Sequence, residues 1–357
     1  MKKIIISVIT VILAVTLLAG CTPASELIPP TTAKPNGILL PDGGGNGADF
    51  SGSVVSSESF AIYAGEYNYF FLQMLYGVAD SLENEYGVDL DKSLKEQYIE
   101  NSDTTWFDFV RDKTLDYMKT LLYVYETAVA ADKNYKKSAD EYLDNTVIPA
   151  LKQMSGNDPS AYLNEIYGGT VSYSNYLNAA YLEYIYGLYL ENTIAAKADS
   201  LTLDEVSAYA DTMTGDKDPT PTRKAAYIRV PDGKNKATEL VESFAAGSEK
   251  TPEAIRKLAY DNGYSNYTDL FVPDDEAMPD IADWLFAPER ALLDGGAVSV
   301  KGDSYYAVFY LGDGEAAYLF KARYELADNS VSENIKNGVK NYQRFKEDAD
   351  KLDSVNV

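Results

Sequence analysis

Cys21 is the only cysteine in a 357-residue chain that contains no histidine. The nucleophiles on offer are one thiol near the N-terminus and a set of hydroxyls with no imidazole to activate them. That removes Ser-His and Cys-His catalysis, His-ligated zinc and imidazole proton transfer. Thiolate metal sites and dithiol redox chemistry need cysteines beyond position 21, and there are none. Neither Ser-x-x-Lys nor Gly-x-Ser-x-Gly occurs, and the P-loop and dinucleotide fingerprints are missing. Asp89, Asp91, Ser93 and Glu100 fall at EF-hand spacing, but the sixth place, which needs glycine for its sharp turn, is Leu94. Asp274, Asp275, Glu276 and Asp280 read as a solvated acidic loop. Among 55 acidic residues some pair always stands at a glycosidase-like spacing, so carboxylate pairs carry no signal. No catalytic residue, no metal site and no cofactor is expected.

The thiol of Cys21 has a context of its own. Lys2 and Lys3 precede an almost unbroken apolar run from Ile4 to Leu18, too short for an ordinary spanning helix. Leu18, Ala19, Gly20 and Cys21 follow. A leucine, two small residues and a cysteine after such a run resemble the lipobox of bacterial lipoprotein signal peptides. The small residues admit the backbone to a peptidase site, and the thiol can carry a thioether-linked diacylglycerol. The expectation is a signal peptide over 1–20, lipid on Cys21, and a chain anchored to the outer, extracytoplasmic face of the cell membrane.

Composition narrows the partners. The formal net charge is −24, and the signal carries two lysines away with it. Such a surface repels nucleic acid and anionic headgroups, and no basic stripe offsets it. Tyrosine is abundant, with 30 copies. Its ring is apolar and its tip polar, which suits both helix interfaces and half-wet binding surfaces.

The elements that hold these residues follow from periodicity. Residues 21–58 read as a lipidated tether, with Pro29, Pro30, Pro35, Pro41 and a Gly43-Gly44-Gly45 run; such a stretch spans about 30 Å root-mean-square. Tyr67, Phe70, Phe71, Met74, Leu75 and Val78 mark one face of a helix. Further helical patterns, among them one capped by Thr202 and Glu205, make 59–215 an all-helical domain. After the proline-rich linker at 216–221 the period changes. Strands are expected at 225–230, 297–300, 305–311 and 316–324, with Gly312-Asp313-Gly314 as a hairpin turn. Helices fall between the first two strands, giving β-α-α-α-β-β-β over 216–326. Ser330 and Glu333 are expected to cap a C-terminal helix within 327–357 that packs on the helical domain. The fold class is α+β.

This order, flanked by helices, resembles the PrsA/SurA family of extracytoplasmic foldases, over roughly 60–352. Ala64-Gly65-Glu66-Tyr67-Asn68-Tyr69-Phe70 and Thr105-Trp106-Phe107-Asp108-Phe109 resemble the starts of the family's first two long helices. Asp283-Trp284-Leu285-Phe286, Arg290, Gly295-Gly296-Ala297-Val298-Ser299-Val300 and Ser304-Tyr305-Tyr306-Ala307-Val308 resemble the closing half of a parvulin domain. The resemblance implies a SurA-like helical chaperone domain, a small parvulin-like α/β domain, and unfolded or newly exported polypeptides as partners. It also implies two pocket histidines, at places held here by Tyr227 and Tyr306, with Trp284 and Phe286 nearby. Two phenols there are expected to face one another and bond to each other or to water. Phenols ordinarily titrate near 10, so the pocket is expected to be degenerate, with weak or absent prolyl isomerase activity that is flat between pH 5 and 8. Clients are expected as extended apolar segments in a Tyr-lined cleft between helices, with an acidic rim that favours basic clients. The alternative is a solute-binding lipoprotein of a transport system.

Lipidation has a direct check. Mass spectrometry of the membrane-extracted chain is expected to find its mature N-terminus at Cys21 carrying a diacylglycerol. An unmodified Cys21, or a mature start elsewhere, contradicts the reading.

Overall fold

A computed structural model of the chain describes residue 50 and residues 52–215, 217–300 and 304–354. The signal, Cys21 and most of the expected tether lie outside the described residues. The class is α+β, in two units: one takes residues up to Thr193 together with Ser330 onward, and the other takes Ile194–Asn329.

The first unit opens on two short strands, β1 (Val55–Ser56) and β2 (Ala61–Ile62), then α1 (Ala64–Asn84) and α2 (Trp106–Ala131). Thr105 caps α2 by accepting from the Asp108 amide at 3.0 Å while Asp108 accepts from the Thr105 amide at 3.1 Å, the reciprocal box that satisfies two orphan donors. The chain continues through α3 (Asn134–Tyr142), a π-helical turn (Leu143–Val147), α4 (Ile148–Met154), α5 (Pro159–Tyr167) and α6 (Tyr173–Ser200). Pro149 explains the π turn, because it supplies no amide to the preceding turn and its ring crowds the carbonyl there. Gly168 closes α5 in the left-handed region, at φ 61°, where a side chain is disfavoured.

The expected tether ends too late. Val54 and Val55 are fully buried, and Ser56 and Ser57 nearly so. Two valines among serines give no periodic signal; they become a strand only through partners far away in sequence. Val55 pairs antiparallel with Ile62 on one side and with Glu347 on the other, in a sheet of order β2-β1-β7, where β7 is Lys346–Glu347. The returning segment is held further by the Tyr67 hydroxyl, which donates to the Leu352 carbonyl at 2.7 Å, and by Leu352 itself, which lies in the core. Within the expected all-helical span, β2 and an isolated bridge between Tyr98 and Thr105 are the exceptions.

The second unit holds α7 (Leu203–Ala210), β3 (Pro221–Val230), α8 (Lys234–Ala246), α9 (Pro252–Asp261), β4 (Asn266–Phe271), α10 (Pro279–Leu285), β5 (Gly295–Val300) and β6 (Ser304–Ala316). The boundary falls earlier than 215, because Ala198, Leu201, Val206 and Ala210 pack with Ala322 and Ala327 of this unit. The sheet is antiparallel with order β4-β3-β6-β5. Central β3 is covered on both faces, which is why Ala225–Val230 reads as a nearly continuous apolar run. Ala226, Ile228 and Val230 face Leu240 and Phe244 of α8 and Ile255 of α9. Ala225 and Tyr227 face Ile281, Ala282 and Leu285 of α10, as period-two alternation requires.

Three sequence expectations change here. The order is β-α-α-β-α-β-β, since β4 enters between the second and third helices and the last expected strand is helical. β4 is an edge strand with four partly or fully exposed residues before Leu270 and only Phe271 fully inside, so its apolar signal is weak. The expected hairpin at Gly312-Asp313-Gly314 is no turn. β6 runs on through it to Ala316, and its register against β3 shifts there by bulges. A side chain at 314 would collide with Thr222, so this glycine answers a close approach. Lastly, 316–324 is not a strand. α11 (Ala317–Asn341) starts there, its first amides captured by the Thr220 carbonyl at 2.6 Å and the Asp218 carbonyl at 3.3 Å. The alternating aromatics of Tyr318–Tyr324 mimic a strand, but Ala, Leu, Lys, Arg and Glu favour helix. Ser330 therefore sits inside a helix already running rather than capping one. The helix ends at Asn341, and β7 and a short α12 (Ala349–Leu352) follow.

Gly296 on β5 lies flush against the Trp284 indole, with no room for a Cβ. Gly296→Val is expected to destabilise the second unit by about 1–3 kcal/mol, the usual cost of overpacking. A urea titration followed by Trp284 fluorescence in a Trp106→Phe background measures it; an unchanged midpoint contradicts the packing.

Candidate functional site

Antiparallel pairing brings Tyr227 and Tyr306 to one face of the second unit's sheet. Tyr227 sits opposite Val308, so Tyr306 is its diagonal neighbour on β6. Their ring centroids are 5.9 Å apart at 57°. Tyr227 is 5 % exposed and is flanked by Tyr267 at 5.4 Å and Phe271 at 6.1 Å. Its hydroxyl donates to the Asp269 carboxylate on β4, where the sequence leads one to expect a second phenol or a water. Asp269 can take this part because β4 exists and carries Tyr267, Asp269 and Phe271 on alternate positions.

Trp284 and Phe286 pack against the same cluster, each under a cation. The Arg290 guanidinium lies 4.0 Å from the Trp284 ring centroid, and its Nε donates to the Trp284 carbonyl at 2.7 Å. Arg223 lies 5.2 Å from Phe286 and 5.1 Å from Tyr310, and donates to the Leu285 carbonyl. Burial and the Asp313 carboxylate push the Tyr310 hydroxyl up to about 12. Chemically this face offers aromatic surface, a phenol–carboxylate bond and two stacked guanidinium groups. It has no imidazole to move a proton near neutrality.

The first unit holds a constellation that sequence reasoning passes over. Glu183 on α6 keeps some accessible surface, yet its carboxylate is ringed by phenols. Tyr69 donates to it at 3.2 Å and Tyr117 at 3.3 Å. Tyr69 packs in turn on Tyr167 and Tyr176, and Tyr142 stacks on Tyr184 at 4.3 Å. Burial pushes Glu183 up to about 7, partly countered by its two hydrogen bonds. Burial and the carboxylate together raise Tyr69, Tyr117 and Tyr176, and bring Tyr142 to about 12. A lone acid between Leu182 and Tyr184, inside the apolar run of α6, is the sequence signal that could have found it. Most of the 30 tyrosines play this packing part; Tyr67, Tyr125 and Tyr181 are wholly inside.

The same unit contains a cavity of about 690 Å³ between α2, α6, α11 and the segment leading into β7. Tyr186, Leu190, Ile335, Val339, Tyr342 and Phe345 supply apolar and aromatic surface. Lys119, Lys336 and Lys340 line it beside Asp116 and Glu347, so its charged margin is mixed rather than acidic as expected. Elsewhere, the EF-hand-like residues serve the backbone. Asp89 accepts from the Asp91 amide at 3.0 Å and pairs with Lys92, and Ser93 accepts from the Lys95 amide at 3.3 Å. In the acidic loop, Asp274 pairs with Lys321 at 2.7 Å and Asp275 accepts from the Ala277 and Met278 amides. Among the described residues no group of three or more His, Cys, Asp or Glu side chains is placed to hold a metal, and no helix is long and apolar enough to cross a membrane.

No protein-family model and no curated protein matches the chain. Three solved structures to which it is similar are PrsA foldases, the family that the sequence resemblance names. The foldase PrsA of Streptococcus pneumoniae is 15% identical with a TM-score of 0.29, over 72% of this chain and 93% of that one. PrsA of Bacillus subtilis is 14% identical with a TM-score of 0.34, over 73% and 93%. The peptidylprolyl isomerase PrsA of Bacillus anthracis is 14% identical with a TM-score of 0.22, over 63% and 94%. The superpositions are loose.

Glu183 predicts a pH dependence. Its folded pKa of about 7 exceeds the ordinary 4.5, so the folded state holds this proton more tightly than the unfolded chain. The associated stability is fully present below about 4.5 and is lost as pH rises to about 7. Glu183→Gln is expected to remove this loss. Relative to wild type, the variant should gain about 2 kcal/mol more at pH 8 than at pH 5 in urea unfolding. Parallel curves for the two proteins across that range contradict the assignment.

Proposed function

We propose that this protein is a membrane-tethered, extracytoplasmic foldase-like chaperone that binds unfolded, newly exported polypeptides and has weak or absent peptidyl-prolyl isomerase activity. The observation that carries it is the aromatic sheet face in which Tyr227 and Tyr306 meet, 5.9 Å apart, with Trp284 and Phe286 in the same cluster. Four aromatic side chains that share no sequence neighbourhood, save Trp284 and Phe286, converge where the resemblance to parvulin domains puts a peptide pocket.

The mechanism is reversible capture. The half-buried rings of Tyr306, Trp284 and Phe286, set around buried Tyr227, take up apolar side chains at low entropic cost, and polar tips satisfy peptide groups. Prolyl isomerisation faces a barrier of about 20 kcal/mol, and lowering it takes a pocket that prefers the twisted amide. Here the Tyr227 hydroxyl is already engaged by Asp269, and arginines cover Trp284 and Phe286. That favours binding over catalysis. The lipobox-like segment before Cys21 supports the location. A solute-binding lipoprotein is not favoured, since such proteins alternate strands and helices through two lobes, and α1 to α6 run without a strand between them.

Two assays test the reading together. An unfolded client should stay soluble at roughly stoichiometric amounts of this protein. A proline-peptide assay should show at most weak isomerisation, flat between pH 5 and 8 and little changed by Tyr227→Phe. Robust isomerase activity with a pH dependence in that range, or no protection of any client, would overturn it.

A further inference from the structure

In a chain with net charge −24, the cavity of the first unit has unpaired lysines on its wall. Lys336 and Lys340 are four residues apart on α11, so they share a face of that helix, and both are exposed. Neither forms an ion pair among the described residues. The third lysine on the wall, Lys119, is already held by Glu347 at 2.7 Å, which leaves Asp116 as the remaining carboxylate. Many lysines elsewhere are neutralised nearby, as Lys257 is by Asp261 and Lys321 by Asp274. Below the lysines the wall is apolar, through Leu190, Ile335 and Val339, with Tyr186 and Phe345 beside them. About 690 Å³ is room for several side chains.

We infer that this groove takes extended segments in which apolar side chains alternate with carboxylates, and that it selects them over basic segments. The inference rests on the chaperone reading, which is what brings such segments to the protein, and it names their chemistry. Charge complementarity carries it. An acidic segment is repelled by most of this surface and meets unpaired ammonium groups here, so the groove is where it can settle. A basic segment is drawn to acidic surface everywhere and gains nothing from this site. The apolar wall supplies affinity, while the lysines supply selectivity.

The test is fluorescence anisotropy with the full chain and a labelled decapeptide of alternating Leu and Asp, compared with its Leu/Asn and Leu/Lys versions. The Asp peptide is expected to bind about five- to tenfold more tightly than the Asn peptide at low salt, with the gap closing at high salt. Lys336→Glu with Lys340→Glu, both on an exposed surface, should reverse the order toward the Lys peptide. Lys336→Arg with Lys340→Arg should keep it. Circular dichroism and the urea midpoint establish that each variant is folded. Equal wild-type affinity for the Asp and Lys peptides, or an order unchanged in the Glu variant, would overturn the inference. The two readings fail separately. Client protection without charge preference sinks the groove alone, and charge-selective peptide binding without client protection sinks the chaperone reading alone.

Discussion

The first unit depends on a short ladder between residues nearly three hundred positions apart. β1 is two residues long and pairs with β2 on one edge and β7 on the other. A two-residue strand has almost no stability of its own. It persists because both flanks are buried and because Leu352 enters the helical core behind it. The same return supplies one wall of the groove, since Ile335, Val339, Tyr342 and Phe345 all come from the returning segment. Gly338 permits the approach: any Cβ there would strike the Tyr123 ring of α2. Remove the return, and the cavity loses most of its lining.

Much of the fold was legible because the helices advertise themselves. Tyr67, Phe70, Phe71 and Leu75 lie on the buried face that their spacing implies, and the Thr202–Glu205 box caps α7 as read. What escaped was structure made by partners rather than by local pattern. Val54 and Val55 look like linker until Ile62 and Glu347 flank them. β4 looks like loop because an edge strand needs only one apolar face. The Tyr318–Tyr324 run misleads in the other direction, because aromatic alternation satisfies a strand template while the backbone is claimed by a helix.

The site was legible in part. The closeness of Tyr227 and Tyr306 follows from their strands and a register of two residues. The partner of the Tyr227 hydroxyl did not follow, since Asp269 reaches it only from a strand that was not foreseen. Glu183 shows the other limit. A carboxylate inside an apolar helix face looks like an error in periodicity, and only the assembled ring of phenols gives it donors. In both places a phenol and a carboxylate do what imidazole does in many proteins. They supply directional polar contact inside aromatic surface.

The discontinuity of the first unit also bears on how the chain acquires its structure. The bond from Tyr67 to Leu352 spans 285 positions, whereas residues 194–329 are contiguous. Closing so long a loop costs about 5 kcal/mol of chain entropy, and prior collapse of the contiguous part, which roughly halves the free length, recovers only about 0.6 kcal/mol. The thermodynamic benefit is small, so the effect is on timing. Chains emerge and fold from the N-terminal end, and domains tend to fold as units. Here the contiguous unit can finish while the first still waits for residues 330–354. Until they arrive, Val54, Val55 and the aromatic flank of α2 lack their cover. A protein proposed to shelter unfinished chains is thus itself, for a time, an unfinished chain with exposed aromatic surface.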